Sequence, residues 1–289
     1  MGLRSRAEAL ILALVLLAGC TSDPSPTPAL TSPSATPSPV ASPGPSAPAD
    51  AGGVYLAIGD SITFGIGVAR PQQNGYVARV ADELSGLPSE PHIESTRVFA
   101  VPGETAAGFL DRRLDDVERA VEELGPRVEL VTIGLGANEI LRARREPACV
   151  ADRASEDCRA VVASATELAA SALDAVVAGV QSALEAAGTD AVVLLLAYYN
   201  PDLDPLAVAS VAGSDGDVGC DALEDRPGLN DRIACIAEAR AVGLVDLYAA
   251  FLGREDELTR FGAGDVHPNA EGYQVIADTI LDALPASGG

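Results

Sequence analysis

Apolar residues rich in β-branched side chains occur along this chain in short unbroken runs, at 54–58, 98–101, 128–135, 191–198 and 244–247. A sheet with one wet face would alternate apolar and polar positions. Continuous runs of this length instead predict strands of a parallel sheet buried on both sides. Between them, apolar positions recur every three to four residues and predict helices over 76–84, 106–124, 160–187 and roughly 229–241. A final helix is the clearest of all. Tyr273, Ile276, Ala277, Ile280, Leu281 and Leu284 fall on one face, Asn269 is placed to cap its start, and Pro285 ends it. Strands alternating with helices join as right-handed βαβ units. The expected fold class is therefore α/β, a three-layer α/β/α sandwich around a central parallel five-stranded sheet.

The first 53 residues do not share this pattern. Arg4 and Arg6 precede an apolar run from Ala9 to Leu17, which leads into Leu17-Ala18-Gly19-Cys20. This is the layout of a secretory signal closed by a lipobox, with Cys20 as the lipidated residue of the mature chain. The run is well short of the roughly 20 residues a membrane span needs, which disfavours an uncleaved anchor helix. Residues 21–53 are almost entirely Ser, Thr, Pro, Ala and Gly, too poor in large apolar side chains to bury a core. They read as a tether, with an O-glycosylated stalk as the alternative, and have an extended reach of about 100 Å at ~3.1 Å per residue. The domain organisation is thus a signal peptide at 1–20, a tether at 21–53 and one folded domain at 54–289. Its roughly 230 residues suffice for a sizeable core. The expected location is extracytoplasmic, with the membrane as a partner through the lipid anchor.

Charge narrows the partners further. The chain carries 19 basic residues, all of them Arg, against 42 acidic ones, for a formal net charge of −23. So acidic a chain repels nucleic acid and anionic lipid surfaces, and neither is expected as a partner. Solubility and a composition bias account for the acidity without a dedicated acidic function. Beyond Cys20 there are four cysteines, an even number in an oxidising compartment. The shortest loops are closed by pairing Cys149 with Cys158 and Cys220 with Cys235. There is no Cys-x-x-Cys spacing, and only two histidines are present, so no metal site is expected.

The first strand breaks at Gly59-Asp60-Ser61-Ile62, which places one hydroxyl at the tip of a Gly-flanked turn. A serine needs a base to act as a nucleophile, and the choice lies between His92 and His267. His92 sits in a polar, exposed-looking stretch and reads as structural. His267 lies in a loop just before the last helix, beyond the end of the fifth strand. Parallel α/β sheets bind ligands beyond the carboxyl ends of their strands. Ser61, Gly103, Gly136 with Asn138, and His267 all collect there. Acyl transfer requires a nucleophile, a base, a group that orients the base, and donors for the oxyanion. Ser61 and His267 supply the first two. The N–H groups of Ser61 and Gly103 and the amide of Asn138 supply the donors. Each residue also has a plainer use, Ser61 as a helix cap and Gly103 and Asn138 in turns. Asp60 reads as a structural residue of the turn. Tyr198, Tyr199 and Asn200 line either an acyl pocket or the core, while 142–158 and 200–227 flank the site as rim or surface insertions.

Four segments in this order resemble the GDSL, or SGNH, serine esterases and lipases: Gly59-Asp60-Ser61-Ile62, Pro102-Gly103-Glu104-Thr105, Gly134-Leu135-Gly136-Ala137-Asn138-Glu139, and Asp265-Val266-His267-Pro268-Asn269. The resemblance spans essentially the whole folded part. It implies a flavodoxin-like sheet, hydrolysis of esters or thioesters without a cofactor, Ser61 as nucleophile, His267 as base, and Ser61, Gly103 and Asn138 around the oxyanion. The chain departs from that pattern in two places. The triad acid usually stands three residues before the histidine, where this chain has Gly264. Asp265, two before, or a backbone carbonyl is left to orient the ring. Glu139 also replaces the Asp that often follows the asparagine. The expected activity is that of an exported serine esterase or lipase acting, as a monomer, on small-molecule, lipid or glycan esters. Carbohydrate deacetylation, lysophospholipid hydrolysis and thioester hydrolysis would use the same machinery. A non-catalytic cell-envelope binding module would be expected to have lost Ser61, His267 or Asn138.

Overall fold

The computed structural model of the protein describes residues 52–86, 91–200, 211, 220 and 227–285. The signal peptide with Cys20, all but the end of the tether, and most of the stretch between 200 and 227 lie outside the described residues. The elements are, in order, β1 (Gly53–Gly59), α1 (Tyr76–Ser85), β2 (Ile93–Ala100), α2 (Ala106–Arg112), α3 (Leu114–Leu124), β3 (Val128–Gly134), α4 (Ala137–Ala143), α5 (Glu156–Ala187), β4 (Val192–Ala197), α6 (Leu229–Arg240), β5 (Gly243–Asp246), β6 (Thr259–Arg260), β7 (Asp265–Pro268) and α7 (Ala270–Asp282), with short single turns between some of them.

Five parallel strands form one sheet in the order β2-β1-β3-β4-β5, and β6 pairs antiparallel with β7 outside it. Side chains alternate across the pleat and feed two separate cores. Val54, Leu56 and Ile58 of β1 join Val131, Ile133 and Leu195 against α2, α3, α5 and α6. Tyr55 and Ala57 join Leu130, Leu194 and Leu196 against α1 and α7, which contribute Tyr76, Tyr273, Ile276 and Ile280. Both faces of the central strands are thus dry, which is why their sequences read as unbroken apolar runs. This is the expected three-layer sandwich.

The edge strand β2 differs. It begins at Ile93, five residues before its apolar run, and Glu94, Ser95 and Thr96 are exposed. A wet edge gives only half of a hydrophobic signal. The helix expected over 106–124 is two helices, broken at Arg113. Arg112 and Arg113 both grip the buried carboxylate of Glu104, at 2.7 and 3.1 Å. Consecutive residues of a continuous helix point about 100° apart, so one carboxylate can hold both guanidiniums only where the helix breaks.

Helix α5 starts at Glu156, capped by the Ser155 hydroxyl, which accepts from the Cys158 N–H at 3.1 Å, and closes on left-handed Gly188. It is long and apolar enough to cross a membrane. Here it is a core helix, with Val162, Leu173, Val176, Val177 and Val180 buried against the sheet layer. Two disulfides join Cys149 to Cys158, at the head of α5, and Cys220 to Cys235 in α6.

Candidate active site

The chain leaves β1 for β2 on one side and β3 on the other, so the carboxyl ends of β1 and β3 flank the point where strand order reverses. The site is built there. Gly59 ends β1 hard against β3, where a Cβ would lie 2.8 Å from the Gly134 carbonyl oxygen and 2.0 Å from Thr63 Oγ1. Asp60 then caps the single turn Ser61–Phe64 by accepting from the Ile62 N–H at 2.9 Å. That turn holds Ser61 at its first position.

His267 Nε2 lies 2.9 Å from Ser61 Oγ, and His267 Nδ1 lies 2.5 Å from Asp265 Oδ1. Residues 265 and 267 sit two apart on β7, so both side chains leave the same face of the strand. The departure at Gly264 is thereby explained. In a turn, an acid three residues back can reach the ring, whereas in a strand the acid must stand two back. Asp265 also accepts from the His267 N–H at 3.2 Å, and its other oxygen faces Arg260 at 3.2 Å. Burial opposes its charge, but the two His267 hydrogen bonds and Arg260 hold its carboxyl below the ordinary value. Gly67, at φ +110°, lets the loop after Ser61 pass against this strand, since a Cβ there would meet the Pro268 carbonyl oxygen at 2.3 Å.

The structure brings Gly103 and Asn138 to the same place. Gly103 has φ +79°, and its carbonyl accepts from Arg142 Nη2 at 2.8 Å. Asn138 Nδ2 donates to the Glu104 carbonyl at 2.9 Å and to Asp60 Oδ2 at 3.2 Å, which fixes the plane of the amide. Among the described residues, neither the Ser61 nor the Gly103 N–H donates a hydrogen bond, so both remain open to a ligand. Glu139 turns away from the site and is buried, accepting from the Ala107 N–H at 3.2 Å through one oxygen while the other has no partner. Burial raises its pKa.

Three features had weak signals in sequence. Asp60 is buried and accepts from Ile62, Asn138 and, at 3.0 Å, the Tyr198 hydroxyl. Burial lifts its pKa to about 6, against the pull of those hydrogen bonds and of His267. It thereby touches the Asn138 amide directly. Tyr199, the next residue, donates from its hydroxyl to the Val266 carbonyl at 2.8 Å. The tyrosines follow β4 on opposite faces, Tyr198 in the core beside the Ser61 turn and Tyr199 in the core beside β7. Asn230 of α6 clamps the backbone N–H and carbonyl of Tyr198 at 2.8 and 2.7 Å. A lone Asn in a helix carries no pattern that announces this role.

Ser61, Gly103, Asn138 and His267 all line one cavity of about 530 Å³, whose other walls include Ile62, Ile66, Ile140, Leu141 and Leu229. This volume and apolar lining suit a small ligand with an apolar portion. A hydrogen-bonded acid, imidazole and hydroxyl beside unpaired amide donors can carry out nucleophilic acyl transfer. Among the described residues, no group of His, Cys, Asp and Glu is arranged to hold a metal ion.

The sequence profile of the GDSL-like Lipase/Acylhydrolase family matches residues 57–275. No curated protein matches the chain in sequence. Among solved structures, a lipase from a goat rumen metagenome superimposes with a TM-score of 0.61 at 22% identity, over 80% of this chain and 97% of the other. Phospholipase A1 from Streptomyces albidoflavus NA297 does so with a TM-score of 0.54 at 22% identity, over 81% and 100%. An acetylxylan esterase from Geobacillus stearothermophilus gives 0.53 at 20% identity, over 80% and 94%. At these identities the likeness extends to the fold, and three different substrates are named on it.

Proposed function

Because the chain belongs to the GDSL-like lipase/acylhydrolase family and is a carboxylic ester hydrolase, we propose that it is an exported esterase working through an acyl-enzyme on Ser61. The observation that carries this reading is the unbroken series Asp265–His267–Ser61, at 2.5 and 2.9 Å, opening on the cavity. Ser61 Oγ attacks the ester carbonyl carbon as its proton passes to His267 Nε2. The carbonyl oxygen becomes an oxyanion facing the Ser61 and Gly103 amides, and Asn138 Nδ2 exchanges its longer hydrogen bond to Asp60 for one to the oxyanion. Nε2 then returns the proton to the departing alkoxide, leaving Ser61 acylated. Water repeats the sequence in reverse roles and frees the carboxylic acid. Asp265 holds the ring with Nδ1 protonated and Nε2 free to accept.

The apolar walls support an acyl chain longer than acetyl, which favours an esterase or lysolipase over a deacetylase. Two disulfides, the apolar run at 9–17 and Cys20 support export and lipid anchoring. Covalent labelling with a fluorophosphonate tests the mechanism. Wild type should label and Ser61→Ala should not, and an unlabelled wild type would overturn the reading in favour of a binding module. Anchoring is tested separately, since Cys20→Ser should move the protein from the membrane to the soluble fraction of expressing cells.

A further inference from the structure

The charge of the cavity is opposite to that of the chain. Overall there are 42 acidic residues to 19 basic ones. Among the described residues of the cavity wall there are three arginines, Arg142, Arg144 and Arg145, and a single carboxylate, that of Asp60. Asp60 is itself buried and occupied by Ile62, Asn138 and Tyr198. An apolar-walled cleft of one sign concentrates its field on whatever enters.

The arginines are also used differently here. Elsewhere most guanidiniums are closed onto carboxylates, as in Arg97–Glu123, Arg240–Asp174 and Arg254–Glu257. Arg142 instead donates to the neutral carbonyl of Gly103. Among the described residues, the Arg145 side chain has no hydrogen bond and no ion pair. The two stand three apart across the end of α4, where the Arg145 N–H donates to the Arg142 carbonyl at 2.9 Å, so their like charges are neighbours with no acid between them. Asn200, which also lines the cavity, is 4% exposed, and its Nδ2 has no hydrogen-bond partner. A buried donor without an acceptor is costly unless a ligand supplies one. Two guanidiniums and one orphan amide, all donors, thus share a wall with the proposed oxyanion amides.

We propose that Arg142, Arg145 and Asn200 form an anion subsite, and that the preferred substrate is an ester bearing a phosphate or carboxylate near the scissile bond together with an apolar acyl chain. The inference rests on the esterase reading above and deepens it. Guanidiniums match the paired oxygens of such groups through two parallel hydrogen bonds. Arg142 is tied to Gly103, so an anion held there lies one residue from a proposed oxyanion donor. The same chemistry fits a lipid headgroup or a soluble anionic ester.

Two matched pairs of monomeric substrates test it. One pair is dodecanoyl glycerol against dodecanoyl glycerol phosphate, and the other is the butyryl ester of methyl 4-hydroxybenzoate against that of 4-hydroxybenzoate. The expected ratio of kcat/KM, anionic over neutral, is about 10- to 100-fold at low salt, the size of one or two charge-assisted hydrogen bonds. It should fall as salt is added. A preference confined to the phosphate pair assigns a lipid headgroup, and one present in both pairs assigns a soluble anion as well. Arg145→Gln, and Arg142→Gln with Arg145→Gln, should bring the ratio toward one, chiefly through KM. Arg119→Gln with Arg159→Gln removes the same charge from a distant surface and should leave the ratio as in wild type. A wild-type ratio near one, a ratio indifferent to the cavity variants, or an equal fall in the distant control would each overturn the subsite. Failure to hydrolyse any of the four esters, with no phosphonate labelling, would instead sink the esterase reading itself.

Discussion

Single residues carry most of the chemistry, and their contributions separate cleanly. In the proposed mechanism Ser61 and His267 exchange the proton, whereas Asp265 acts on the ring. In hydrolases of this logic, removing the nucleophile or base costs about 10⁶-fold in kcat and removing the acid about 10⁴-fold. We expect that order here for Ser61→Ala, His267→Ala and Asp265→Ala in steady-state assays, with Asp265→Ala losing clearly less than the other two. Asp60 makes a prediction about stability. Its folded pKa, about 6, lies above the ordinary 3.8, so the unfolded chain gives up this proton first. The contribution is complete below about pH 4 and is lost as pH rises through 6, on the order of 3 kcal/mol for this group alone. Urea unfolding should show the stability of wild type relative to Asp60→Asn falling by up to that amount between pH 4 and pH 7. Ser61 and His267 stood out in sequence because the first sits in a Gly-flanked break at the end of a strand and the second is one of only two histidines. Asp265 was legible only as an alternative, since its fitness depends on whether residues 264–267 form a turn or a strand.

Among elements, the short strand β7 decides the geometry. Its pleat puts acid and base on one face, and the loop carrying Gly67 presses on it from the nucleophile side. Gly67→Ala should displace the Pro268 carbonyl and with it His267. Because misplacing a catalytic group by about 1 Å costs on the order of 10²-fold, kcat should fall by about that factor while fluorophosphonate labelling slows in parallel. Legibility at this scale followed burial. The central strands announced themselves because both their faces are dry, and α7 because one face is buried and the other is wet. Strand β2 was read as half its length because its outer half is wet. The break at Arg113 was invisible because periodicity reports a face and not a carboxylate that two neighbouring arginines must share.

For the whole molecule, the α/β/α architecture followed from the alternation of runs and periodic segments, while no pattern in the chain announced Asn230 or the two tyrosine tethers, which depend on three-dimensional neighbours. Cross-links add to the stability of this unit. The Cys149–Cys158 bridge closes a loop with a sequence separation of 9. Loop-closure entropy predicts a loss of about 2–3 kcal/mol for Cys149→Ala with Cys158→Ala, read as a lower urea midpoint at constant slope. One arrangement reaches across the fold. Ser61 and His267 arrive on segments more than 200 residues apart in sequence, and β4 leads into two tyrosines, one bonded to Asp60 beside Ser61 and the other to Val266 beside His267. The separation of the two reacting atoms is therefore gauged by a single peptide unit at the tip of a central strand, itself gripped by Asn230. Neither half can drift without dragging the sheet, so the working distance is inherited from the most rigid part of the protein and not from the loops that bear the chemistry.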